Sequence, residues 1–152
     1  MELLPNSLSF RVITTLDVTD ESQIPTGYTG RVRLSALDRL MYVAWYTDGQ
    51  LHNPARTEPA FRRFRDNGQV RYEMFYDNGQ LADPTPSRPA VRGYFANGAL
   101  HYEERYDDGK RCDGPKGEAA LRKFRQDGTL RHELRYRNGN RVVDKRETAN
   151  AS

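Results

Sequence analysis

Val70, Tyr72, Met74 and Tyr76 alternate with Arg71, Glu73 and Phe75. Alternation at every second residue predicts a half-buried strand, because successive side chains point to opposite faces of a sheet. The pattern returns at intervals of 30 residues: Leu40, Val70, Leu100 and Leu130 fall in one column, and Tyr42, Tyr72, Tyr102 and His132 in a second. Tyr46, Tyr76, Tyr106 and Tyr136 make a third, and Glu73, Glu103 and Glu133 a fourth that Val43 interrupts. Ahead of these stand Ala60, Ala90 and Ala120, then Arg62, Arg92 and Arg122, then Phe64, Tyr94 and Phe124.

Turns punctuate the columns. Gly49, Gly68, Gly79, Gly98, Gly109, Gly128 and Gly139 are separated alternately by 19 and 11 residues, each preceded by Asn or Asp. Such pairs supply the positive φ of tight hairpins. The unit therefore reads as strand, turn, strand, second turn, short strand and linker. The linkers carry Pro54 and Pro59, then Pro84, Pro86 and Pro89, then Pro115, and proline interrupts ladder pairing. The expected architecture is all-β, an elongated antiparallel meander of hairpin repeats over residues 28–145.

A two-residue turn at Asn67-Gly68 would set Arg62 opposite Glu73. A three-residue loop with a glycine bulge would place Ala60, Phe64, Val70, Tyr72, Met74 and Tyr76 on one face, with Arg62 over Tyr72. Burial at about 25 cal/mol per Å² outweighs a surface ion pair of roughly 0–1 kcal/mol, which favours the bulge. Stacking of Arg62 and Arg92 on Tyr72 and Tyr102 would follow. The register at the second turn stays open. Asp38 stands where the period would put a glycine, so the first hairpin, about 28–46, is degenerate. Residues 1–27 carry no repeat, and Phe10, Val12, Thr14 and Leu16 alternate as a capping or edge strand would. Residues 146–152 read as a disordered tail.

Composition narrows the function classes. Leu, Ile, Val and Phe number 29 of 152 residues, a poor supply for a core that nine Tyr and one Trp supplement. Residues 1–20 lack the basic start and apolar stretch of a signal peptide, and the longest apolar run, Leu40 to Tyr46, is too short to span a bilayer. The expected compartment is cytoplasmic. Cys112 is the single cysteine, so neither an intrachain disulfide nor a cysteine zinc cluster exists.

The string from Asn67 to Leu81, with its Tyr-x-Asn/Asp-Gly ending at Tyr46, Tyr76, Tyr106 and Tyr136, resembles the MORN-type repeat. It is similar in particular to the bacterial YwqK-like proteins, which are commonly labelled antitoxins. The resemblance runs from about Arg39 to Val142 and departs in its 19-residue spacing, which inserts a proline-bearing linker. It implies a non-enzymatic binding scaffold in a β-meander, with no catalytic residues and no cofactor.

The repeat serves as its own control. No two histidines share a repeat position, which argues against a metal site or a histidine relay. His132 fills the tyrosine column and reads as packing, whereas His101 falls in a column with Arg71 and Arg131 and reads as exposed. Cys112 stands where Ala82 and Val142 also fit, as a small filler. Glu104 breaks the Ala44, Met74 and Leu134 column, and neutralising Arg92 or Arg105 would account for it. Arginine outnumbers lysine 20 to 4 and the pI is about 9.1, which keeps nucleic acid as the alternative partner. The basic residues are interleaved with 21 acidic ones, so no polybasic cluster favours a membrane surface. The expected partner is a protein. Its expected surface is the face opposite the tyrosines, carrying Trp45, Phe75, Arg63, Arg65, Arg71, Arg105, Arg131 and Arg135. A cap folded back through Phe10, Val12 and Leu16 is the competing explanation for Trp45 and Phe75.

Overall fold

The structure is a computed structural model that describes residues 14–143. Phe10 and Val12 of the expected cap, and the expected tail at 146–152, lie outside the described residues. The described chain is all-β. Strand β1 (Thr15–Val18) leads through a 3-10 turn (Glu21–Gln23) to β2 (Gly30–Ala36), β3 (Arg39–Thr47) and β4 (Gln50–Leu51). The next unit holds β5 (Phe61–Phe64), β6 (Val70–Met74), β7 (Tyr76–Asp77) and β8 (Gln80–Leu81). Its successor holds β9 (Val91–Tyr94), β10 (Leu100–Glu104), β11 (Tyr106–Asp107) and β12 (Lys110–Arg111). The last has β13 (Leu121–Phe124), β14 (Leu130–Arg137) and β15 (Asn140–Val142).

The long strands follow one another across a single sheet in the order β1-β2-β3-β5-β6-β9-β10-β13-β14-β15. All neighbours are antiparallel except β1, which runs parallel to β2 and so departs from the expected pure meander. The short strands form hairpins that hydrogen-bond from unit to unit: the N–H groups of Gly79, Gly109 and Gly139 each donate 2.9 Å bonds to the carbonyls of Leu51, Leu81 and Arg111. Backbone bonding thus continues beyond the main sheet, which lets a chain poor in aliphatic residues hold together.

The two turns of each unit differ. Asp48-Gly49, Asn78-Gly79, Asp108-Gly109 and Asn138-Gly139 are two-residue turns with positive φ at both positions, the geometry that matches strand twist. Leu37-Asp38 adopts the same turn in the first hairpin, so no glycine is needed at 38. The other turns are three-residue loops: Gly68 N–H donates to the Arg65 carbonyl at 2.9 Å, and Arg65 N–H to the Gln69 carbonyl at 2.8 Å. Asn67, Asn97 and Asp127 each accept from the backbone N–H two residues on, which explains that column.

The register corrects one expectation. Phe64 pairs with Val70 as the bulged loop requires, but the register then shifts, leaving Arg71 as an extra residue. Beyond it Arg63 faces Tyr72 and Arg62 faces Glu73, so Arg62 does not lie over Tyr72. The shift recurs in the equivalent hairpins, with Met41, His101 and Arg131 as the extra residues. One inserted residue re-aims the strand. The chain thereby keeps both the glycine loop and the Arg–Glu pairing.

Two faces result. One carries the row Val18, Leu34, Tyr42, Arg63, Tyr72, Gly93, Tyr102, Lys123, His132, followed by the row Leu16, Val32, Ala44, Phe61, Met74, Val91, Glu104, Leu121, Leu134. The other face carries Asp17, Arg33, Val43, Arg62, Glu73, Arg92, Glu103, Arg122, Glu133, each directly opposite the next across the sheet. Past Val43 this row alternates basic and acidic at every strand. Arg62 and Arg88 bond Glu73, Tyr94 donates its hydroxyl to it at 2.9 Å, and Arg92 and Arg122 flank Glu103. Burial, with the charge of Glu73 next in weight, pushes the Tyr94 hydroxyl up to about 12. The apolar core gathers at the first end, where Val18, Val32, Tyr42 and Ala44 are buried with Leu16, Ile24, Tyr28 and Phe61 against them.

Candidate functional site: the tyrosine face and the linker joints

Residues 52–60, 82–90 and 112–120 return the chain from each short hairpin to the next long one. At the start of each linker, one side-chain oxygen holds two backbone donors. Asn53 Oδ1 accepts from Ala60 N–H at 3.0 Å and Tyr76 N–H at 2.8 Å. Asp83 Oδ1 does the same for Ala90 and Tyr106 at 2.8 and 3.0 Å, and Asp113 Oδ1 for Ala120 and Tyr136 at 2.9 and 3.0 Å. The alanine carbonyl closes the joint by accepting from Trp45, Phe75 and Arg105 N–H at 2.7–2.8 Å. Ala60, Ala90 and Ala120 are fully buried here. The column of Asn53, Asp83 and Asp113 is readable at 30-residue spacing, but Asn53-Pro54 and Asp83-Pro84 look like ordinary linker punctuation.

These joints correct the expected stripe of Trp45, Phe75, Arg105 and Arg135. Phe75 is 1% exposed, and the Arg88 guanidinium lies 4.8 Å from its ring centroid. Arg105 is 3% exposed, donating to Asp83 at 2.9 Å and to the Pro86 carbonyl at 3.2 Å, with Glu118 at 3.9 Å. Trp45 is half-buried with Arg31 over its ring at 5.6 Å. Arg135 reaches the Gly117 carbonyl at 2.8 Å and Asp113 at 3.5 Å. Linker residues cover the middle of this stripe, Phe75 and Arg105, while Arg135 at its end stays exposed as expected. Burial raises the carboxyl of Asp83 above its usual range, against the pull of two N–H bonds and Arg105.

The remaining expected residues divide differently. Arg63, placed by sequence opposite the tyrosines, stands in the tyrosine row between Tyr42 and Tyr72. Arg71 and Arg131 are exposed at the bulges, and Arg65 donates to the Tyr94 carbonyl at 2.7 Å. Arg63, Arg65 and Arg71 come together along an open groove with Met41 and Phe64.

The tyrosine face is the more open aromatic surface. At its first end the segment after β1 covers it, with Tyr42 donating to Glu21 at 3.3 Å and Ile24 and Tyr28 packed on the core. Farther along, Phe61, Tyr72, Met74 and Tyr102 are half-buried. Tyr42 and Phe61 rings lie 4.9 Å apart, and Phe61 and Tyr72 rings stack at 6.0 Å. Tyr102 lies flat over Gly93, where a Cβ would stand 2.1 Å from Tyr102 Cε1. Any side chain at 93 would lift that ring. Tyr76 and Tyr106 continue the face half-buried rather than as core residues. Glu104 pairs with Arg111 at 2.6 Å and accepts from the Tyr106 hydroxyl at 2.9 Å, so neither Arg92 nor Arg105 is its partner. Burial first, then Glu104, pushes that hydroxyl up to about 12. His132 is exposed, not packed, and His101 stacks on Phe95 at 4.1 Å instead of facing solvent.

The described residues hold no group of three or more His, Cys, Asp or Glu able to bind a metal ion, and no helix long and apolar enough to cross a membrane. Fold and surface together define an all-β hairpin-repeat protein. No family model, curated protein or solved structure matches this chain.

Proposed function

We propose that this chain is a non-enzymatic, cytoplasmic protein-binding scaffold that engages and neutralises a protein partner in the manner of an antitoxin or inhibitor. The observation that carries the reading is the partly exposed aromatic run of Tyr72 and Tyr102, flanked in their row by Arg63 and Lys123, with Phe61 beside Tyr72 in the next row. Tyrosine and arginine are the side chains enriched where interfaces concentrate their binding energy. The resemblance to MORN-type repeats supports the same class. Against the nucleic-acid alternative, Arg33, Arg39, Arg62, Arg88, Arg92, Arg105, Arg111, Arg122 and Arg135 are all paired with carboxylates of the chain itself. A phosphate backbone would have to displace those partners.

The test is retention of ligands from cell extract on the immobilised chain at about 50 and about 200 mM salt, beside a Tyr72→Ser/Tyr102→Ser variant. The expected result is a protein retained at both salt levels and lost by the variant, whose thermal midpoint shows that it stays folded. Retention of nucleic acid with steep salt loss, or the same proteins on the variant, overturns the reading.

A further inference from the structure

Three times in this sheet the outer edge of a unit is taken up by the first strand of the next. Residues 42–44 receive Phe61, Arg62 and Arg63; residues 72–74 receive Val91, Arg92 and Gly93; residues 102–104 receive Leu121, Arg122 and Lys123. The incoming strand always reads Ala, apolar, Arg, any residue, aromatic: Ala60 to Phe64, Ala90 to Tyr94, Ala120 to Phe124. Its arginine always stands in the charged row, opposite Glu73 or Glu103 in the second and third cases.

The fourth edge has the same form. His132, Glu133 and Leu134 of β14 occupy the receiving positions, and no strand pairs with them on their outer side among the described residues. Glu73 and Glu103, each between two strands, are 6% and 3% exposed, whereas the side chain of Glu133 is 41% exposed and its ion-pair partner is Arg135 at 3.7 Å. Among the described residues, three of the four large apolar side chains left exposed, Leu130, Val142 and Val143, belong to this end.

We propose that the outer edge of β14 binds an extended segment of another protein as an antiparallel strand, with an arginine of that segment paired to Glu133. A row that alternates in sign and stops on a carboxylate selects a base. A second copy of this chain offers none: its β1 edge presents Asp17 in this row and its β14 edge presents Glu133, so self-pairing through the row sets carboxylate against carboxylate. In the repeat register the chain's own continuation does not supply one either: Ser152 stands 30 residues after Arg122, and its bases, Lys145 and Arg146, come seven and six residues too early. The edge binds through its backbone and Glu133, on the face opposite Tyr72 and Tyr102, so it stands or falls independently of the scaffold reading.

The probe is a labelled, end-capped peptide of the chain's own residues 87–95, titrated with the full-length protein, beside the same peptide carrying Arg92→Glu. Saturable binding of the first peptide is expected, weaker by at least about tenfold for the second, since like charges face each other across the pair. A Glu133→Arg protein should reverse that preference, and Tyr72→Ser/Tyr102→Ser should leave it unchanged. No saturable binding, or equal binding of both peptides, overturns the proposal. So does self-association of the full chain in sedimentation that the peptide does not compete away. The peptide pair decides the matter on the unaltered protein even if Glu133→Arg fails to fold.

Discussion

The joint around Phe75 and the joint around Arg105 occupy the same place in consecutive units and are built from opposite chemistry. In the first, Asn53 bridges two N–H groups, Phe75 fills the space and Arg88 lies over its ring. In the second, Asp83 bridges the equivalent N–H groups, Arg105 fills the space and Glu118 stands where Arg88 stood. All three positions change together, and the fillers end equally buried, at 1% and 3% exposure. What the joint conserves is one acceptor oxygen. The filler beneath it is free to be apolar or charged, provided the surrounding residues change with it.

The largest expected effect follows from that oxygen. Asn53→Ala, Asp83→Ala and Asp113→Ala each leave two part-buried backbone donors without their acceptor, at about 1–3 kcal/mol per donor when the site is closed to water. Losses of about 2–4 kcal/mol in urea unfolding are expected at Asn53 and Asp83 alike. A large loss at Asp83 beside a negligible one at Asn53 would show that charge, not the bridge, organises the joint.

Much of the fold was legible in the pattern of residues, and the comparison of joints shows where legibility ended. The columns of Tyr46 to Tyr136 and the alternating glycine spacing carry period, strand order and turn positions, because both depend on local backbone geometry. The side of the sheet on which Phe75 and Arg105 lie was also readable from alternation. What covers them was not: residues 82–90 have no alternation, so nothing in them announces that Arg88 reaches back over Phe75 while Asp83 and Pro86 close over Arg105 of the next unit. Register was half legible. The loop at Gly68 follows from its glycine, but Arg71 as an extra residue follows only from the Arg62–Glu73 pairing beyond it, which a choice between two uniform registers excludes. The site is the least legible part, because the face a residue occupies does not fix its exposure: Phe75 and Arg135 share a column, and the first is buried while the second is exposed.

The exchange of fillers sharpens the comparison at a smaller scale. Asn53→Asp puts a carboxylate beside Phe75, where no arginine fills the space, and a loss of about 1–3 kcal/mol is expected in the same unfolding measurement. The reverse change, Asp83→Asn, keeps the acceptor oxygen and removes a carboxylate that burial already disfavours. It is expected to stay within about 1 kcal/mol of the parent, relief of desolvation offsetting the lost guanidinium pair. The triple change Asp83→Asn, Arg105→Phe, Glu118→Arg rebuilds the first joint inside the second and should also remain within about 1 kcal/mol. A triple variant several kcal/mol below the parent would mean that the two joints differ in backbone as well as in filler.

The smallest effect concerns protons. The folded-state pKa of Asp83 lies above the ordinary 3.8, with burial as the dominant cause. The folded chain therefore holds this proton more tightly than the unfolded chain, and ionised Asp83 costs stability at neutral pH. That cost is relieved as pH falls through the folded pKa and is gone below the unfolded value, the opposite of a salt-bridged carboxylate with a depressed pKa. Asp83→Asn has no such group and so serves as the reference. Between pH 7 and pH 4 the parent should gain on the variant, by up to about 1.4 kcal/mol for each pKa unit by which the folded value is raised. Urea midpoints of the two chains, measured side by side at each pH, give the difference directly and cancel every other titrating group they share. If the parent loses ground on acidification instead, the 2.9 Å pair with Arg105 outweighs desolvation. The charged joint would then be held by its ion pair, and its likeness to the neutral joint would end at the shared oxygen.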